Sequence, residues 1–489
     1  MKRVFLIAAV VLALGLLGVG ISLAQSITYS SSYQLQNLDS GTATVSLQYY
    51  DQTTGNLTAS GMITIAGNGS KTIFPFTSGP YGDGISGPSS FNGSLVASSD
   101  KQIAAILNTQ TSSSPFYGAS TNGFTAGSTQ VALPLIVCNN AGFNTWFNVQ
   151  NAGTSDAHIT ITYIPGANGV SGVTETATIK AGAAKTFNQT AGSTTKNCND
   201  LKDGSGKFVG SASITSSDQP VVASVMFLGT GSIKSLQGYD GFSGGPTSVN
   251  LPLIMANNSS YYTSINLQNG GTTTTTVTIS FKPNTIGNTN TPNAETFDLG
   301  PGQGKVFIQN GGISAYSPNN NWTAFGKYVG GATISQSGSQ PLFAVVNQNS
   351  TSYTSLGSAY EGFDPTAATG TLKLPLIAAN NSGYHTSINL QAVTGPVTVT
   401  VNYGTNTGGG SLLNPAADTK VLNAGDTWVL IQSGTPGPLT GVNNWSTAGR
   451  YVGSATVTTQ GGSAIAIVNF NGPATSGDTF YTYDGFNVP

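Results

Sequence analysis

Apolar and polar residues alternate along most of this chain. Ile265 and Leu267 alternate with Ser264, Asn266 and Gln268. Val277, Ile279 and Phe281 alternate with threonines and Ser280, and Phe343 and Val345 keep the same rhythm. Successive strand residues face opposite sides of a sheet, so this period of two predicts strands apolar on one face and polar on the other. Thr, Val, Ile and Tyr fill these blocks and suit a pleated surface. Turn signals separate the blocks, among them "NGG", "PNTIGN", "GPGQG" and "SQSGSQP". No helical pattern is visible outside an apolar stretch at residues 4–23.

The alternating blocks belong to longer repeats. "LPLIVCNNAGFNTWFNVQN" begins at Leu133, "LPLIMANNSSYYTSINLQN" at Leu251 and "LPLIAANNSGYHTSINLQA" at Leu374. Two other landmarks occur four times. One is "FNGSLVASSD", "FVGSASITSS", "YVGGATISQS" and "YVGSATVTTQ", starting at Phe91, Phe208, Tyr328 and Tyr451. The other is "NGF" at Asn122, then "YDGF", "YEGF" and "YDGF" at Tyr239, Tyr360 and Tyr483. The chain therefore reads as a leader, residues 1–25, and four domain-sized repeats: 26–130, 131–248, 249–371 and 372–489. About seven or eight short strands per repeat predict an all-β fold of four tandem Ig-like antiparallel sandwiches.

The first repeat lacks the "LPLI" segment. In the others that segment reads as a short first strand, its proline suited to a strand start or sheet edge. The Asn-Asn pair after it suits a turn, because Asn tolerates left-handed backbone. The short, polar "QSITYSSSYQL" ahead of Gln36 does not supply an equivalent strand. The first repeat is therefore expected to have a vacant or weakly filled edge, or to be a blunted terminal cap.

Lys2 and Arg3 precede the apolar stretch, which ends near "SLAQS". This is the pattern of a secretory signal peptide cut near Ala24 or Gln25, the alternative being a retained membrane anchor. After it no second apolar span follows, so the mature chain is expected to carry no membrane span. Only 7% of residues are charged and the net charge is -2, against about 25% charged residues in ordinary domains. Such a chain has no electrostatic footprint for nucleic acid. Export places Cys138 and Cys198 in a disulfide-permissive compartment. A bridge between them contributes roughly 4 kcal/mol in the chain-entropy account. Ala256 and Ala379 stand at the place of Cys138 in later repeats, so the fold does not require it.

Candidate chemistry is sparse. The chain has two histidines, His158 in a polar strand block and His385 in a turn-to-strand position. Neither belongs to a nucleophile–base pattern, so no catalytic residues are expected. Asp240, Glu361 and Asp484 recur before "GF", with Asn122 in the first repeat. A lone acid per repeat suits a turn held by backbone N–H groups better than a calcium site, and no metal or cofactor is expected. Trp322 and Trp445 sit in "NNW" loops, where an open indole would stack on a sugar ring and a buried one would plug a sandwich end. Polar rows recur at Gln34 and Gln36, Asn148 and Gln150, Asn266 and Gln268, and Asn389 and Gln391. They read as solvated faces or as lateral contacts between molecules. N-glycosylation sequons include Asn56, Asn92, Asn258, Asn321, Asn349 and Asn444.

The leader, the repeat array and the uncharged Thr/Asn/Gly strands resemble the tandem Ig-like repeat proteins of prokaryotic cell surfaces, such as adhesin stalks, S-layer components and filament subunits. The resemblance covers residues 26–489. It implies a secreted, non-catalytic structural or adhesive protein at the cell surface, partnered by copies of itself, other surface proteins or polysaccharide. An array of carbohydrate-binding modules using the "NNW" loops is the competing expectation.

Overall fold

The computed structural model of the chain describes residues 8–14, 28–112, 116–231, 233–284, 286–353, 356–473 and 477–488, with side chains from residue 28 onward. The expected cleavage point near residue 24 lies outside them. The fold is all-β, in antiparallel sheets. Among the described residues no helix is long and apolar enough to cross a membrane.

The third repeat sets the pattern. One sheet orders Val249–Ala256, Tyr328–Gln336, Thr275–Pro283 and Glu295–Leu299; the other orders Gly304–Ile308, Tyr261–Asn269, Leu342–Ser350 and Gly357–Glu361. The apolar positions of the alternation meet in the core: Ile265, Leu267, Val277, Ile279, Ile334 and Val346 are all buried. The second and fourth repeats keep the same strand order, and Phe486–Val488 adds a strand outside Thr371–Ala379 in the fourth. The chain divides into two compact units. One is Met1–Thr230 with Gly238–Gly244, which holds the first two repeats; the other is Gly231–Gln237 with Gly245–Pro489, which holds the last two.

The repeated phrase has a specific mechanical use. In the third repeat its strand follows Tyr328–Gln336 from Val249 opposite Ile334 to Leu251 opposite Ala332, then resumes at Ile254 opposite Gly330. Pro252 and Leu253 fall in that irregularity. Proline has no N–H to donate, and the Leu253 backbone turns instead to the tyrosine of "YEGF". The Leu253 N–H donates to Tyr360 Oη at 3.3 Å, and the Tyr360 hydroxyl donates to the Leu253 carbonyl at 2.6 Å. Leu135 with Tyr239 (3.2 and 2.7 Å) and Leu376 with Tyr483 (3.1 and 2.7 Å) repeat the clamp. "LPLI" and "YDGF" recur together because one satisfies the backbone that the other leaves unpaired.

The Asn-Asn pair fixes the other end of the strand. Asn257 and Asn380 have φ of 48° and 49°, the left-handed region that Asn tolerates. Their side-chain amides donate to the carbonyls of Trp322 and Trp445, each at 2.6 Å. The sequence pattern gave no sign of helix in these loops, yet Trp322–Phe325 forms a helical turn and Trp445–Thr447 a 3-10 turn. Cys198–Leu201 is a further helical turn, capped by the Asn197 side chain. Elements of three or four residues are too short to show a 3.6-residue period.

The edge of the first repeat is not vacant in this chain. Ala8–Leu14, part of the apolar leader, lies antiparallel to Gly93–Ser99. It takes the place that Gln130–Cys138, Val249–Ala256 and Thr371–Ala379 take in the later repeats. The expectation of an open edge concerned the chain without its leader; with the leader present, Ala8–Leu14 lies along that ladder.

Candidate functional site

The polar rows are neither solvated nor free for contact between molecules. Gln34, Gln36, Asn148, Gln150, Asn266, Gln268, Asn389 and Gln391 are all buried. Alternation marks these positions as polar but leaves open what covers them. A side-chain amide both donates and accepts, so such a face can be buried by hydrogen bonding without desolvating a charge.

In the unit holding the last two repeats, buried amides form a layer of two hydrogen-bonded groups. Gln348 Nε2 donates to Asn469 Oδ1 at 3.1 Å, to Thr482 Oγ1 at 2.9 Å and to Ser358 Oγ at 3.1 Å. Asn469 Nδ2 returns a bond to Gln348 Oε1 at 2.9 Å. Asn266 donates to Asn347 at 2.7 Å, Asn347 to Gln237 at 2.6 Å, and Gln237 to Asn349 at 3.0 Å. Gln348 belongs to the third repeat and Asn469 to the fourth, so the layer joins two sandwiches side by side.

A buried carboxylate closes the layer. Asp478 accepts from Ser235 Oγ at 2.7 Å and from the backbone N–H groups of Leu236, Gly357 and Phe480 at 3.0, 3.1 and 3.3 Å. Burial pushes its pKa well up, and these donors pull against that shift. It anchors residues 235–236 to the third and fourth repeats.

The unit holding the first two repeats is also joined by bonds between its repeats. Gln52 donates to Thr186 at 2.8 Å, Ser94 to the Gly182 carbonyl at 2.6 Å, and Lys180 to the Thr54 carbonyl at 2.7 Å. The Tyr29 and Trp146 rings lie 5.7 Å apart. Asp240, one of the recurring acids, accepts the backbone N–H of Asn122 at 2.7 Å, tying the second repeat's "GF" corner to the first repeat's.

Trp322 and Trp445 are buried, at 1% and 0% exposure, so no indole face is open to a sugar ring. The Trp322 N–H donates to Ser317 Oγ and the Trp445 N–H to the Thr440 carbonyl. Each ring packs edge-on against a tyrosine, Tyr328 or Tyr451. Cys138 and Cys198 are joined as a disulfide with Cα atoms 5.5 Å apart.

His158 and His385 lie in different repeats. His158 Nδ1 lies 2.6 Å from Asp218 Oδ2 with the side chain 61% exposed. The neighbouring Ser217 hydroxyl points at the His158 carbonyl, not at the ring. That contact with His158 is the main reason the Asp218 pKa falls to about 2. His385 is half-buried, and burial lowers its pKa. Among the described residues no group of three His, Cys, Asp or Glu side chains gathers to hold a metal. Of the sequons, Asn56, Asn321 and Asn444 are exposed, while Asn92, Asn258 and Asn349 are partly buried. Asn349 Oδ1 accepts the Gln237 amide, and Asn321 Oδ1 caps the Trp322–Phe325 turn by accepting the Ala324 N–H.

Sequence reasoning missed the tyrosine clamp and the amide layer. The signal for the clamp was present: tyrosine precedes the acid in the three repeats that carry "LPLI", and Thr121 stands there in the first. No protein-family model matches the chain, and comparison with curated proteins finds no match.

Proposed function

We propose that this is an exported, non-catalytic structural or adhesive protein of a cell surface, built of four Ig-like sandwich domains and able to assemble with copies of itself. One observation carries the reading. The residues that recur between repeats hold strands together, namely the clamp tyrosines and the turn asparagines, and the contact between the last two repeats is made by buried amides. Repetition in this chain maintains a scaffold rather than a reactive group. Contacts made mostly by uncharged amides and hydroxyls are weakened little by salt, which suits a protein outside the cell.

Negative-stain microscopy of protein exported by its own cells tests this. Ordered fibres or sheets are expected; a monodisperse monomer by light scattering at every accessible concentration overturns self-assembly. A pull-down on insoluble polysaccharides addresses the carbohydrate reading, and Trp322→Ala with Trp445→Ala is expected to leave any binding unchanged in chains that stay folded.

A further inference from the structure

The four repeats present four equivalent acceptor strands: Gly93–Ser99, Phe208–Ser216, Tyr328–Gln336 and Tyr451–Gln460. Each has one side paired within its repeat, to Ala43–Asp51, Ala157–Asn168, Thr275–Pro283 or Val397–Tyr403. On the other side lies a leading strand. In the last three repeats that strand is "LPLI" and comes from the repeat itself. In the first it is Ala8–Leu14 of the leader. Among the described residues there are thus four acceptors but only three leading strands outside the leader.

The first acceptor also differs in kind. Later leading strands carry an irregularity in register near the proline. The pairing of Ala8–Leu14 runs unbroken, from Ala8 opposite Ser99 to Leu14 opposite Gly93. The clamp for the irregular strand is missing too, because Thr121 stands where the other repeats have tyrosine. A threonine hydroxyl bonds the leading strand in each later repeat, as Thr263 does at Met255. The first repeat has Ser31 at that place, and Ser31 bonds Thr109 instead. The site therefore suits a regular strand with no proline. Gly93–Ser99 is uncharged, and its Leu95 and Ala97 are wholly buried.

We propose that the edge of Gly93–Ser99 that faces the leader is a strand-acceptor site, held by the leader until export and afterwards filled by an uncharged, proline-free aliphatic strand from another polypeptide. This rests on the proposed function, in that the leader is removed on export. Strand addition is a recognised mode of joining chains, with main-chain bonds for affinity and alternate side chains for specificity. Losing the leader exposes a row of unpaired N–H and C=O groups beside apolar core, which is the condition that invites it. A second copy is not the favoured donor, since its three "LPLI" strands are already engaged.

The test compares chain 25–489, the full chain, and chain 25–489 with an extra "AAVVLAL" strand and flexible linker fused ahead of Thr28. The probe is a synthetic peptide of residues 8–14 flanked by lysines, titrated by calorimetry and native mass spectrometry. Chain 25–489 is expected to bind one peptide and to gain in Tm, while the other two bind none. The "TLKLPLIAA" peptide of Thr371–Ala379 is expected to bind about tenfold more weakly, the effect of one unmade ladder bond. If chain 25–489 does not fold alone, refolding with peptide is expected to yield a one-to-one complex. Equal binding to the fused chain, no binding to folded 25–489, no rescue by peptide, or a 25–489 dimer that excludes peptide overturns the proposal. Exported protein that still contains residues 8–14 overturns it as well. Microscopy that shows no assembly would count against the proposed function while leaving the peptide result to stand.

Discussion

Replacing Gln348 by alanine measures how far the third and fourth repeats depend on each other. The change removes the bonds to Ser358, Thr482 and Asn469 and leaves Asn469 Nδ2 without the Gln348 oxygen that accepts it. An orphaned buried donor costs about 1–3 kcal/mol, and the other net losses add about 1 kcal/mol. Lost packing brings the expected destabilisation to about 3–4 kcal/mol. Asn469→Ala orphans Gln348 Oε1 in the same way and is expected to cost about 2–3 kcal/mol. Both residues serve one contact, so the double variant should fall short of the sum by about 1–3 kcal/mol. Urea unfolding followed by tryptophan fluorescence reads this out, because Trp322 reports on the third repeat and Trp428 and Trp445 on the fourth. The parent unit is expected to unfold in one transition and the single variants in two. Additive effects, each below about 0.5 kcal/mol, would show a solvated face and refute the amide layer.

Tyr360→Phe keeps the ring but strips both partners from the Leu253 backbone, and thermal melts should show a loss of about 1–3 kcal/mol. Reducing the Cys138–Cys198 bridge opens a loop of 60 residues, and calorimetry should show a fall of roughly 4 kcal/mol in the second repeat only. In the last two repeats burial drives the pKa values of Tyr328, Tyr360, Tyr403, Tyr451, Tyr481 and Tyr483 far up. A raised folded pKa gives stability that is fully present below the unfolded value near 10 and is lost as pH rises beyond it. Each such tyrosine should then contribute a loss of about 1.4 kcal/mol per pH unit. Melts between pH 9 and about 11 should show Tm dropping steeply from about pH 10, and a flat profile would mean that these hydroxyls are open to water.

Local chemistry made much of this protein legible from its sequence. A period of two and clustered turn residues specify antiparallel strands wherever they occur, and the all-β class follows. Repetition exposed the sheet-forming landmarks and the missing "LPLI" of the first repeat. Contacts between distant segments were decided only by tertiary structure. Leu253 and Tyr360 lie 107 residues apart, so "LPLI" and "YEGF" could be read as two motifs but not as one clamp. The polar rows looked outward because alternation fixes which residues share a face, not whether another sheet covers it. Gln348 and Asn469 satisfy each other as water would satisfy either alone, and nothing local separates those outcomes. Trp322 and Trp445 looked available in Gly/Asn-rich loops, and it is the fold of those loops, held by Asn257 and Asn380, that buries them. The leader read as a signal because it is apolar and follows basic residues. Its pairing with Gly93–Ser99 is a main-chain contact across about 85 residues of sequence, and an unpaired ladder accepts an extended strand without any local motif to announce it.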